Sequence, residues 1–131
     1  MADVAWIYEM VGAWNACDGT KAASYLTADG HWEDVTSRLA WSPDEFAEAF
    51  SVKLPALASD AQFEVESAVC DGVGFAMQWR WYGTHNATGR SFSIRAASVG
   101  RLRDGRVEAA FDYWNPAHLA EQIADPVERP S

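Results

Sequence analysis

The chain has 131 residues, enough for one domain with a buried core and too few for two ordinary ones. Hydrophobic residues at 49% and charged residues at 22% exclude a disordered, collagen-like or disulfide-dense chain. Nineteen acidic residues against ten basic ones leave a formal charge of −9, which repels phosphate backbones and anionic lipid surfaces, so no nucleic acid and no membrane is expected as a partner.

Asp3 is placed to cap a first helix, in which Trp6, Ile7, Met10, Val11 and Trp14 recur at spacings of three and four up to about Ala16. Asp18 opens a short second helix through Ala22, Ala23, Tyr25 and Leu26, closed by Ala28-Asp29-Gly30. His31 to Thr36 reads as a strand. Ser42-Pro43-Asp44-Glu45 is a capping box with proline at the first helical position, and the third helix sets Phe46, Ala49 and Phe50 on one face before ending ahead of Pro55. After residue 60 the period changes to two. Phe63, Val65, Ser67 and Val69 form one strand, and Asp71-Gly72 turns the chain into Phe75, Met77, Trp79 and Trp81. A loop from His85 to Gly89 leads to Phe92, Ile94, Ala96 and Ser98, and Asp104-Gly105 turns into Val107 to Trp114. Asn115-Pro116 opens a terminal helix carrying Leu119 and Ile123. Residues 1–125 are expected to form the single domain and 126–131 a flexible tail. The fold class that follows is α+β, a curved antiparallel sheet wrapped over three N-terminal helices with a short C-terminal helix, enclosing a cone with a mouth.

Seven tryptophans call for either a core of large side chains or a pocket lined with indoles. Cys17 and Cys70 are expected to be reduced, buried thiols. No metal is expected, because His31 and His118 have no carboxylate or thiol at ligand spacing. The absence of any Gly-rich phosphate loop or nucleophile elbow implies no cofactor. Arg80 and Arg95 fall on the phase opposite the apolar residues, which suggests outer-face ion pairs with Glu64 or Glu66. No apolar run reaches the roughly 20 residues that span a bilayer, and Met1-Ala2-Asp3 lacks the basic start of a secretory signal, so the expected location is cytoplasmic.

Three stretches carry a resemblance: Trp14 to Asp18 with Ala28 to Asp34; Trp81 to His85 with Thr88-Gly89-Arg90; and Arg103 to Val107 with Phe111-Asp112-Tyr113-Trp114-Asn115. With the order of elements, they resemble the nuclear transport factor 2-like fold of ketosteroid isomerases, limonene epoxide hydrolases, scytalone dehydratases and SnoaL-like polyketide cyclases. The last two stretches look most like the SnoaL-like group. The resemblance implies that Asp112 is the acid or base of such a cyclase. It likewise places Asp34 near the proton-shuttling aspartate of the isomerases. Met10 and Ser98 stand where those isomerases have their oxyanion-hole tyrosine and aspartate, which argues against a steroid isomerase. Trp79 and Trp81 stand where the epoxide hydrolases need an Arg and an Asp, which argues against a hydrolase of that mechanism.

Strict alternation puts Asp112 outward, with Val107, Ala109, Phe111 and Tyr113 as the apolar phase. With a two-residue turn at Asp104-Gly105, Leu102 faces Val107 and Asp112 shares a face with Ala97 and Arg101. With a three-residue turn and a G1 bulge at Gly105, Asp112 instead faces Ala96 and lines the cavity beside Ser98, Ala110 and Trp114. The second is favoured, because Ala96, Ser98, Gly100 and Ala110 are small and leave room for a ligand. It leaves Ala97, Val99, Val107, Ala109, Phe111 and Tyr113 outside, an apolar surface that predicts a homodimer through the outer sheet face.

The expected function is cofactor-free acid-base catalysis of cyclase or isomerase type on a small hydrophobic, polyketide-like or secondary-metabolite substrate. Asp112 moves the proton, Asp34 assists, and His85 is a further donor at the rim. Trp14, Tyr25, Trp32, Met77, Trp79, Trp81 and Trp114 are the expected substrate-binding side chains, and Ser98 the residue that hydrogen-bonds a substrate oxygen. The alternatives are an epoxide hydrolase or epoxide-opening cyclase, and a non-catalytic small-molecule binding protein.

Overall fold

The computed structural model describes residues 3–124, and the expected tail at 126–131 lies outside the described residues. Helix α1 (Ala5–Asn15) buries Ile7, Met10, Val11, Ala13 and Trp14, the stripe that the spacing implies. Its first turn begins one residue later than expected: Val4 occupies the cap position, and Asp3 Oδ1 accepts from the Ala5 N–H at 2.9 Å. Asp18 caps α2 (Gly19–Ala23) by accepting from the Lys21 N–H. This helix is shorter than expected, since Leu26 already belongs to strand β1 (Leu26–Asp34). The unforeseen strand β2 (Leu39–Trp41) pairs back on β1.

The capping box is present: Ser42 accepts from the Glu45 N–H and Glu45 accepts from the Ser42 N–H at the start of α3 (Pro43–Glu48). The helix does not stop before Pro55. It widens into a π-helical stretch at Ala49–Lys53 and continues as α4 (Leu54–Leu57). Proline lacks an N–H and its ring collides with the carbonyl four residues back in a regular helix, and the wide turn just ahead of it accommodates both defects. One helical stripe therefore runs through Phe46, Phe50, Leu54 and Leu57.

The remaining strands are β3 (Gln62–Cys70), β4 (Gly74–Thr84), β5 (Ser91–Arg103) and β6 (Arg106–Tyr113), followed by α5 (Pro116–Ile123). The sheet order is β2-β1-β6-β5-β4-β3. It is mixed rather than wholly antiparallel, because β1 runs parallel to β6. Phe75, Met77, Trp79 and Trp81 of β4, and Phe92, Ile94, Ala96 and Ser98 of β5, are buried in strict alternation. In β3 a bulge between Val65 and Ser67 changes the phase, so Ala68 and Cys70 turn inward while Val69 is exposed.

The β5–β6 hairpin differs from both registers weighed above. Its turn has two residues, Asp104 (φ 52°) and Gly105 (φ 77°), and Arg103 faces Arg106 and Leu102 faces Val107. Both turn positions need the left-handed region, which Asp and above all Gly tolerate. The extra residue comes later: Arg101 pairs with Ala109, leaving Glu108 as the bulge. Past it the parity is inverted, and Asp112 faces Ser98 rather than Ala96. Val107, expected outside, is therefore in the core, and Ala109 is also fully buried.

Beyond its last pair with β6, Ala97 with Tyr113, β5 continues with an open edge, and α5 covers it. The Gln122 side chain acts as a strand would, accepting from the Ser93 N–H at 2.6 Å and donating to the Ser93 carbonyl at 3.1 Å. On the outer face Glu66 binds Arg95 through both oxygens and approaches Arg80 at 3.8 Å, so it is Glu66 rather than Glu64 that pairs. Both cysteines are free, but Cys17 is exposed and Cys70 half-buried, because Cys17 ends α1 with positive φ instead of entering the core. No helix among the described residues is long and apolar enough to cross a membrane.

Candidate active site

The inner face of the sheet, α1 and the α3–α4 stripe enclose a cavity of about 220 Å³. Its interior is almost wholly aromatic, with Trp14, Trp32, Phe63, Trp79 and Trp81 buried in its walls, while the half-buried Trp41, Leu54, Leu57, Trp114 and Leu119 form the more exposed part of the lining. Gly100, small as expected, makes room for the Phe75 ring and not for a ligand, since a Cβ there would stand 2.5 Å from that ring.

Two carboxyls, Asp112 and Asp34, line this cavity, and they are register partners across the parallel β1–β6 pair. Asp112 Oδ1 accepts from Ser98 Oγ at 2.5 Å and from the Trp32 indole N–H at 2.8 Å. Ser98 in turn accepts from the Trp79 indole N–H at 2.8 Å, which orients its hydroxyl. Both donors reach one oxygen, so Oδ2 is free of partners among the described residues. The residue as a whole is half-buried, but its carboxyl is enclosed, and loss of hydration pushes its pKa up to about 7. The Ser98 and Trp32 hydrogen bonds oppose that rise, and the charge of Asp34 adds to it.

Asp34 is 8% exposed. Its two oxygens accept from the Trp114 indole N–H at 3.0 and 2.9 Å, and Oδ1 accepts from the Ser37 N–H at 3.3 Å. The indoles therefore do more than pack. Three of them, Trp32, Trp79 and Trp114, hold the polar atoms of the site in place.

Of the residues expected at the site, Asp112, Asp34, Trp14, Trp32, Trp79, Trp81 and Trp114 line the cavity. Four do not. Met77 is buried in the core outside the lining, and Tyr25, just ahead of β1, is partly buried against the core, its carbonyl accepting from the Val107 N–H. His85 lies on its loop, where Nδ1 pairs with Thr88 Oγ1 at 2.9 Å and the backbone N–H donates to Arg90, the signature of a turn residue. Ser98 has no exposed surface and stands behind Asp112, so it positions the carboxyl instead of touching a ligand. The lining also includes residues not foreseen: Trp41 on the unpredicted β2, Phe46, Phe50, Leu54 and Leu57 on the continuous helix, Phe63, and Leu119 of α5. The spacing 46, 50, 54, 57 was the available signal, and Pro55 concealed it.

A curved sheet closed by helices over a hydrophobic cavity with buried acids defines the ketosteroid isomerase-like, nuclear transport factor 2-like class of fold. Among solved structures, a protein with this fold from Catenulispora acidiphila DSM 44928, in complex with trimethylamine, superposes with a TM-score of 0.82 over 95% of this chain and 96% of that one, at 14% identity. IdmH of Streptomyces antibioticus, a proposed polyketide cyclase, gives 0.78 over 91% and 96% at 19% identity. AclR of Streptomyces galilaeus, a proposed hydroxylase, gives 0.78 over 97% and 83% at 22% identity. No curated protein matches the sequence. The model of the SnoaL-like domain matches residues 7–110, and the chain belongs to that family. Asp112 lies two residues past the matched segment, so its role rests on the geometry of this chain.

Proposed function

We propose that the protein is a cofactor-free acid-base enzyme of cyclase or isomerase type, with Asp112 as the group that moves the proton. The observation that carries this reading is the half-held carboxyl: Oδ1 is fixed by Ser98 and Trp32, while Oδ2 is unpartnered in an aromatic cavity, with a pKa near 7. A base poised near neutral pH is both available and strong enough to take a proton from a carbon beside a carbonyl. Oδ2 takes that proton and leaves an enolate. In a cyclisation the enolate carbon attacks a second carbonyl of the same molecule and the new alkoxide recovers the proton from Oδ2; in an isomerisation the proton returns to another carbon. Asp34, held by Trp114, repels a second charge on Asp112 and so strengthens it as a base. Family membership and the likeness to a proposed polyketide cyclase support the reading.

The volume narrows the substrate. A cavity of about 150 Å³ holds benzene, so 220 Å³ accommodates one or two fused rings, or one end of a longer molecule. The test is carbon-13 NMR titration of the carboxyls, with Asp112→Asn to assign the signal. A midpoint near 7 supports the reading, and a midpoint near the ordinary value of about 3.9 overturns it.

A further inference from the structure

Among the described residues, two buried side-chain polar atoms lack a hydrogen-bond partner, and both belong to residues that line this cavity. Trp14 and Trp81, 3% and 7% exposed, line the cavity, and their indole N–H groups are buried without an acceptor among the described residues. Buried donors are nearly always paired in native proteins, and an unmade bond costs folding stability, so a pair of them in one cavity calls for a reason. Both indoles pack against neighbouring rings. Trp14 stacks on Phe50 with ring centres 4.9 Å apart, and Trp81 stacks on Phe63 at 6.2 Å. Trp14 also meets Phe63 edge-on at 5.4 Å, so the two indoles flank that one ring. We propose that Trp14 and Trp81 are hydrogen-bond donors to the oxygens of an uncharged carbonyl compound, making the cavity selective for ketones, pyranones and quinones over hydrocarbons of the same shape.

This deepens the acid-base reading and rests on it for the identity of the reacting group. The remaining polar atoms agree. Among the described residues no Arg, Lys or His lines the cavity, and an anionic ligand would meet Asp34. Asp34 is already bound by Trp114 and the Ser37 N–H, which leaves Asp112 Oδ2 as the one carboxylate oxygen in the lining without a partner among the described residues. Among the buried donors two indole N–H groups stay free, and Asp112 in its neutral form adds Oδ2–H. A ligand that complements them carries acceptors and no charge. Both indole nitrogens are covered, so a ligand oxygen reaches them through a small tilt of the rings.

The experiment titrates the full chain with chromone, a bicyclic ketone with oxygens at opposite ends of one ring, and separately with naphthalene. The indole N–H signals are followed by nitrogen-15 NMR and assigned with Trp14→Phe and Trp81→Phe. Chromone is expected to move the Trp14 and Trp81 protons downfield, and naphthalene is not. Each variant is expected to lower the ratio of chromone to naphthalene affinity about tenfold, the usual effect of losing one buried hydrogen bond. Unmoved Trp14 and Trp81 signals, absence of chromone binding, or an unchanged affinity ratio overturns the proposal and assigns these N–H groups to the faces of neighbouring rings. The shifts are read on the unmutated protein, so a variant that fails to fold leaves a decisive measurement. An Asp112 midpoint near 7 with unmoved indoles would overturn this inference alone, whereas an ordinary midpoint with shifted indoles would overturn only the acid-base role.

Discussion

Asp112→Asn should make the protein more stable at neutral and alkaline pH while removing its proposed activity. In the unfolded chain Asp112 ionises at the ordinary value of 3.8, and in the folded chain burial holds it protonated up to about 7. Between those two values the folded state binds the extra proton, so stability falls as pH rises. The stabilisation is complete below pH 3.8 and is lost above pH 7. A separation of about three pH units at 1.36 kcal/mol each makes the swing roughly 4 kcal/mol. Asparagine mimics the neutral acid: its carbonyl oxygen can accept from Ser98 and Trp32 as Oδ1 does, and its amide takes the place of Oδ2–H. Urea unfolding of both proteins at pH 4, 6 and 8 reads the difference directly. The variant's advantage over the parent should grow by about 4 kcal/mol across that range, a large part of a typical domain's stability. Parallel pH profiles for the two proteins would refute the desolvation argument, and with it the reason for expecting a base at this position.

Two substitutions should move the Asp112 titration in opposite directions. Ser98→Ala removes a hydrogen bond that favours the ionised form and should raise the midpoint by about one to two pH units, while Asp34→Asn removes a repelling charge and should lower it; carbon-13 NMR reads both. Asn15→Ala should cost about 1–3 kcal/mol in urea unfolding, because the Asn15 amide accepts from the Phe63 N–H at 2.6 Å and donates to the Phe63 carbonyl at 2.9 Å, tying α1 to the edge strand β3. We also propose that a second copy of the chain covers the outer sheet face, where Val99 and Tyr113 are 41% and 50% exposed. Sedimentation should show a dimer that Val99→Glu with Tyr113→Glu dissociates, and a monomeric parent protein would refute it.

The helices and long strands were legible because local chemistry decides them. Asp18, Ser42 with Glu45, and Asn115 each bond the backbone of the turn they open, and such capping is a property of a few consecutive residues. The alternation of β4 and β5 was legible for a related reason: a strand buried on one face has no other way to hide Trp79, Trp81 and Ile94. What escaped was the handling of exceptions. Pro55 reads as a terminator in an α-helix and ceases to be one after a π turn, which no nearby residue announces.

The Asp112 register shows the same limit at the residue that matters most. The Asp104-Gly105 dipeptide does specify its two-residue turn, and by that turn alone Asp112 would point to the outer face. The bulge at Glu108 reverses it, yet Glu108 carries no local bulge signal: its carboxylate pairs with Arg101 and Arg103, as an ordinary outer-face residue would. The position of the bulge is set instead by what lies either side of it. Val107 must enter the core ahead of Glu108, and past it Ala110 and Asp112 must turn inward to Trp32 and Ser98, two demands that regular alternation cannot meet together. The energy that resolves the conflict comes from Ser98 on the neighbouring strand β5 and from Trp32 on β1, which is distant in sequence, so the inward orientation of Asp112 is a tertiary property. A buried donor such as Trp32, paired with Asp112 from 80 residues away, does the selecting.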